Sequence, residues 1–146
     1  MHVLLSAEEV SSLDTGLIAP HGGQLVNREV PANMRARLRE HAARLTTIEI
    51  DDRALADLEC IATGVYSPLT GFMGWADYHA VVETMRLSTG LVWSVPVVLS
   101  IDELTATTIA VGDDVALCRG CEPLAIMSVT DVFHRDKQHE AQQVYG

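Results

Sequence analysis

Residues 115–133 read VALCRGCEPLAIMSVTDVF, and this stretch determines the fold class. Two runs in it are rich in β-branched and aliphatic residues, Val115 to Cys118 and Leu124 to Phe133. Arg119-Gly120 lies between them. Two such runs joined by a short turn that contains glycine are typical of a β-hairpin. We therefore predict a hairpin here, entered from a turn at Val111-Gly112-Asp113-Asp114.

Three stretches earlier in the chain also have strand character. Thr46 to Ile50 is β-branched and alternating, and Leu91 to Leu99 alternates apolar side chains as a strand buried over part of its length would. A short strand is expected at Leu25-Val26.

Periodic apolar positions and terminal signals predict the helices. They are expected over Pro31 to Leu45, from the Asp51 cap to Gly64, over Trp75 to Leu87, as a turn over Asp102 to Ala106, over Asp136 to Val144, and from the capping box of Ser6 and Glu9 to Leu13. Helices come first and strands concentrate later, so the order predicts an α+β domain with a small mixed sheet or barrel.

The length and composition predict one domain over residues 1–146 in the cytoplasm. A chain of 146 residues is near the common size of a single domain. The three cysteines, Cys60, Cys118 and Cys121, form no disulfide framework and suit a reducing compartment. The N-terminus lacks the basic region of a signal peptide, and the apolar run from Leu91 to Leu99 is far too short to span a bilayer.

The charge balance argues against a nucleic-acid partner. The chain has 20 acidic and 10 basic residues, for a net charge of −10. Nucleic-acid binders usually gain affinity from clustered Lys and Arg. The one cluster here is Arg35, Arg37, Arg39 and Arg44 on a predicted amphipathic helix, where a solvated face is the favoured interpretation.

Cys118, Cys121, His134 and His139 have the spacing of a two-cysteine, two-histidine zinc finger. The segment between them has a strand pattern, whereas a finger needs a helix that carries both histidines. Zinc is therefore kept only as a minor alternative, with no metal expected. The two cysteines flank a predicted hairpin turn, so their spacing is not that of a reactive pair at a helix N-terminus.

Other polar residues do not form a recognisable catalytic set. Ser67 precedes Pro68 and is not in a nucleophile elbow, and Asp57 and Glu59 point to different faces of a helix. His21-Gly22-Gly23 could bind an anion through backbone N–H groups, but a buried structural turn is the favoured interpretation. Catalytic and cofactor-binding residues are therefore not assigned.

Four stretches, in this order and spacing, resemble the N-terminal domain of the ATP sulfurylases (sulfate adenylyltransferases). They are Pro20-His21-Gly22-Gly23 with Leu25 to Arg28; Asp57-Leu58-Glu59 through Gly64 to Ser67-Pro68-Leu69-Thr70-Gly71-Phe72-Met73 and Asp77-Tyr78; Met85-Arg86-Leu87 with Gly90, Trp93 and Pro96-Val97; and Asp136-Lys137, Glu140-Ala141 and Val144-Tyr145-Gly146. The resemblance runs from about residue 17 to residue 146.

The resemblance implies a PUA-like β-barrel or mixed sheet with several helices packed around it, adjoining a larger catalytic domain. That domain is a nucleotidyltransferase, a transferase of sulfate assimilation or dissimilation, that makes adenosine 5′-phosphosulfate and pyrophosphate from Mg-ATP and sulfate. The family's catalytic Gln-x-Arg-Asn-Pro and His-x-x-His segments do not occur in this sequence. The resemblance therefore implies structural roles for His21, Gly22, Gly23, Arg86 and Ser67 to Phe72, and an ATP site outside residues 1–146.

Two other functions stay open at this point. A free-standing PUA-like module that binds RNA or protein is the main alternative, and a zinc-binding domain is the weaker one. A homo-oligomer is also left open, and a membrane partner is not expected.

Overall fold

The structure is a computed structural model that describes residues 1–3 and 18–146. Its strands are β1 (His2–Val3), β2 (Thr46–Glu49), β3 (Asp114–Arg119) and β4 (Glu122–Ser128). Its helices are α1 (Ala32–Ala42), α2 (Asp52–Thr63), α3 (Trp75–Thr84), α4 (Glu103–Ala106) and α5 (Lys137–Tyr145). The predicted α+β class with a mixed sheet is confirmed. The predicted helix at Ser6 to Leu13 lies outside the described residues.

Backbone contacts divide the chain into two compact units. The first unit comprises Met1–Gly71 and Asp114–Ser128, and the second comprises Phe72–Asp113 and Val129–Gly146. Among the described residues, no helix is long and apolar enough to cross a membrane.

The sheet of the first unit is built around the predicted hairpin. Its strand order is β1-β4-β3-β2, with β3 antiparallel to β4 and β2 parallel to β3. The reversal contains Gly120, which has a φ of 57°. The Gly120 N–H donates to the Glu49 carboxylate at 2.6 Å, so the end of β2 fixes the turn.

Strand β3 is buried on both faces of the sheet. Its four central residues, Val115 to Cys118, are all buried. Ala116 and Cys118 pack with Ala42 of α1 and with Ile126 of β4, and Leu38 and Leu45 border this cluster. Because successive side chains of a strand point to opposite faces, Val115 and Leu117 fill the other side. A strand buried on both faces explains the continuous apolar run in its sequence.

Helix α2 begins and ends where its sequence predicts. The Asp51 side chain accepts a hydrogen bond from the Ala54 N–H at 2.8 Å, which satisfies a donor that the first turn leaves without an internal partner. Gly64 ends the helix with a φ of 86°. Leu58 and Ile61 are fully buried along one face.

The second unit contains α3, α4 and α5 joined by irregular segments. Helix α5 is present where a helix over Asp136 to Val144 was predicted, and Asp136 caps it by accepting hydrogen bonds from the Gln138 and His139 N–H groups. Asp102 caps the four-residue α4 in the same way. An Asp131 oxygen accepts the Trp75 N–H at 2.8 Å and so caps α3 from a distant part of the chain.

Two predicted strands are wrong. Residues 91–99 form only an isolated bridge between Val92 and Arg86. The Val97 N–H in this segment donates to the Met73 sulfur, and Pro96 has no N–H to offer a neighbouring strand. Leu25-Val26 is not a strand because the Val26 N–H donates to the Ser67 hydroxyl instead of a backbone carbonyl.

Three elements are shorter than predicted. Helix α1 ends at Ala42 instead of Leu45. Helix α3 ends at Thr84 instead of Leu87, because Met85 adopts a left-handed conformation and the Leu87 N–H donates to the Leu91 carbonyl. Strand β4 ends at Ser128 instead of Phe133. The chain leaves the sheet there, and Asp131 then caps α3.

Candidate functional site

Two of the stretches that carry the family resemblance meet at the Ser67 hydroxyl. Ser67 is 3% exposed. Its hydroxyl donates to the Gly64 carbonyl at 2.6 Å and accepts the Val26 N–H at 2.9 Å. Two residues further on, the Arg28 N–H donates to the Ala62 carbonyl at 2.8 Å. Ser67 therefore joins the segment after Pro20 to the C-terminal end of α2, and its proton is directed to a carbonyl oxygen and not to a base.

Gly64 allows this segment to approach the helix closely. A Cβ atom at position 64 would lie 2.8 Å from Leu25 Cδ1 and 2.9 Å from the Val26 carbonyl oxygen. The positive φ of Gly64 also disfavours any other residue. The sequence predicted Gly64 as a helix end, but it gave no sign of the chain that packs against it.

The loop Ser67 to Phe72 continues the chain from the contacts made by Ser67. The Ser67-Pro68 peptide is cis, Leu69 is buried and Phe72 is half-buried, while Thr70 is exposed. The backbone bends at Gly71 without a positive φ, and a Cβ atom there would meet nothing within 4 Å. The glycine that the close packing requires is therefore Gly64 and not Gly71.

The turn Pro20 to Gly23 is present but is not buried. The Gly23 N–H donates to the Pro20 carbonyl at 2.8 Å, and Gly22 and Gly23 have φ angles of 78° and 84°. His21, Gly22 and Gly23 are all exposed. The prediction that this turn is buried was therefore wrong.

Arg86 lies in the second unit, at the beginning of a tight reversal. Its guanidinium donates to the Gly90 carbonyl at 3.0 Å, and its backbone forms the bridge to Val92. Arg86 thus closes the loop that follows α3.

A buried polar group in the second unit was not identified from the sequence. The Tyr78 hydroxyl donates to Glu140 Oε2 at 2.9 Å, and Arg135 lies 3.5 Å from the same oxygen. Arg135 also donates to the Ser100 hydroxyl at 3.0 Å. Burial, with a smaller contribution from Glu140, raises the pKa of Tyr78 to about 12. No pattern in the sequence linked Tyr78 to a carboxylate 62 residues later.

Aromatic rings surround this buried polar group. The Phe133 ring lies 5.2 Å from that of Tyr78 and 5.5 Å from that of Trp75. The His79 ring is stacked on Trp75 at 5.2 Å. Phe133 thus packs the segment that leads into α5 against α3, and Trp75, which is 46% exposed, lies at the edge of this packing.

The four residues of the zinc alternative have other surroundings. Burial raises the pKa of the Cys118 thiol in β3, and Cys121 is exposed in the turn. His134 is exposed, and His139 Nε2 lies 2.5 Å from the Glu83 carboxylate. Over residues 1–3 and 18–146, no group of three or more His, Cys, Asp or Glu side chains is placed to hold a metal ion.

The arginine cluster of α1 is mostly solvated. Arg37 and Arg44 are exposed, and Arg39 is exposed and lies 3.6 Å from Glu122. The Arg35 side chain donates to the Val30 carbonyl. The side chains therefore do not converge on a single point, as a phosphate site would require.

Comparison with known proteins identifies the family. The model of the PUA-like domain matches residues 18–146. The chain belongs to the PUA-like domain family. The resemblance to the PUA-like domain of the sulfate adenylyltransferases is confirmed, because relatives with that name are about 45% identical over most of the chain.

The chain matches only part of each relative. It is 46% identical over 129 residues to a sulfate adenylyltransferase from Synechocystis, of which it covers 33%. It is 46% identical over 131 residues to a probable bifunctional SAT/APS kinase 2 from Sorangium cellulosum, of which it covers 22%. The chain thus spans a third or less of the length of these relatives.

A solved structure has the same fold. The hexameric APS kinase from Thiobacillus denitrificans is similar with a TM-score of 0.71 and 33% identity. The similarity covers 83% of this PUA-like chain and 24% of the other chain.

Proposed function

We propose that this chain is a non-catalytic PUA-like part of a sulfate adenylyltransferase. In this proposal the whole protein acts in the cytoplasm and transfers the adenylyl group of Mg-ATP to sulfate, giving adenosine 5′-phosphosulfate and pyrophosphate. The observation that carries the proposal is the 46% identity to a sulfate adenylyltransferase of which only 33% is covered. In this proposal the catalytic residues lie in the two thirds of such a relative that this chain does not match.

The chemistry of the residues supports the non-catalytic role. Adenylyl transfer requires fixed positive groups around a polyphosphate and an approaching sulfate dianion. This chain has one lysine, Lys137, which is exposed at the start of α5. Arg119 is bound to Asp52, and Arg135 is held by Glu140 and Ser100.

The motif residues support a structural role instead. Ser67 and Gly64 hold two chain segments together through buried backbone contacts, and Arg86 closes a loop. Each of these contacts is made within the chain. These motif residues therefore stabilise the fold of a domain that a larger enzyme can use. A ligand is not needed to explain their presence.

The experiment that tests this proposal is an assay of ATP- and sulfate-dependent pyrophosphate release by the purified chain. The Synechocystis relative serves as the positive control under the same conditions. No release above the background without protein is expected. Turnover by the purified chain that requires both substrates would contradict the proposal.

A further inference from the structure

We draw no further inference here: the strongest candidate, the exposed surface patch on α3 where the rings of Trp75 and His79 stack, carries none, because nothing in the structure of residues 1–3 and 18–146 shows what covers it.

Discussion

Three glycines lie in or next to the two chain segments that meet at Ser67. They differ in how much stability the protein would lose if each were replaced by alanine. At Gly71 the φ is not positive and a Cβ atom would meet nothing within 4 Å. At Gly23 the φ is 84° but the space is open, and at Gly64 a φ of 86° is combined with contacts at 2.8 and 2.9 Å. The series therefore separates backbone strain from steric conflict.

We expect Gly71→Ala to change the free energy of unfolding by less than about 0.5 kcal/mol. Gly23→Ala should cost about 1 kcal/mol, because a left-handed conformation is strained for alanine. Gly64→Ala should cost clearly more, about 2–4 kcal/mol, since the backbone of Val26 must also move. Denaturant unfolding checks the order, and equal costs at Gly23 and Gly64 would contradict the close approach of Leu25 and Val26.

Ser67 provides a second test at the scale of one residue. Ser67→Ala removes both hydrogen bonds of the hydroxyl and leaves the Val26 N–H without this acceptor. We expect a loss of about 1–3 kcal/mol in the free energy of unfolding. The control is Ser94→Ala, at an exposed position, which should be close to neutral. A neutral Ser67→Ala would show that the hydroxyl does not hold the two segments together.

At the scale of single residues, some roles could be predicted from the sequence and others could not. Gly64 and Asp51 were correctly predicted as helix ends, because caps depend on local backbone geometry. His21 was expected to be buried and is exposed, since burial depends on the distant segment that packs nearby. The bond between the Val26 N–H and the Ser67 hydroxyl joins residues 41 apart, and no local pattern encodes such a contact.

At the scale of elements, α3 and α5 are held together by the buried bond between Tyr78 and Glu140. Tyr78→Phe removes this bond and leaves Glu140 with Arg135 at 3.5 Å. We expect a loss of about 1–2 kcal/mol near neutral pH. Tyr145→Phe, on an exposed ring in α5, is the matched control and should be neutral. Equal stability of the two variants would contradict the role of the bond.

The same tyrosine predicts a pH dependence. Its pKa is raised from 10 to about 12 in the folded protein, mainly by burial. The unfolded chain therefore loses the proton first, so the contribution of Tyr78 is fully present below pH 10 and is lost as the pH rises toward 12. Denaturant unfolding between pH 9 and 11 should show a steeper decline for the parent chain than for Tyr78→Phe. Parallel declines would contradict the raised pKa.

A second pair between α3 and α5 responds near neutral pH. The Glu83 carboxylate raises the pKa of His139 above 6.5, and His139 lowers the pKa of Glu83 below 4.5. His79 and Asp136 are the other charged groups nearby. The histidine contribution is present below pH 6.5 and is lost as the pH rises through its folded pKa.

His139→Gln should therefore be less stable than the parent chain at pH 5.5 and almost equal to it at pH 8.5. Unfolding at the two pH values measures this difference, which should be small because both side chains are partly exposed. His41→Gln, on the exposed side of α1, is the control. A difference that grows from pH 5.5 to pH 8.5 would contradict the ion pair.

Elements with local signals were predicted well, and elements that depend on partners were not. The hairpin of β3 and β4, the cap of α2 and the cap of α5 have their signals within a few residues. Residues 91–99 have strong β propensity but lack a strand to pair with, so only a bridge forms. After Ser128 the chain leaves the sheet, and Asp131 caps α3 at Trp75, 56 residues earlier in the chain.

At the scale of the whole molecule, the distribution of charge agrees with a supporting role. The chain has a net charge of −10, which would repel both ATP and sulfate at long range. Several of the cationic groups that could offset this lie along α1 or are paired with carboxylates. The fold class and the family resemblance were evident from the sequence, whereas the contacts of Ser67 and Gly64 with Val26 became evident only from the structure.

We propose that the described residues, 1–3 and 18–146, do not assemble a site for ATP and sulfate. A titration of the purified chain with Mg-ATP, with and without sulfate, tests this claim most directly when backbone amide chemical shifts are followed. We predict no saturable shift at millimolar ligand concentrations. A saturable shift with one-to-one stoichiometry, centred on one group of residues in this chain, would contradict the claim.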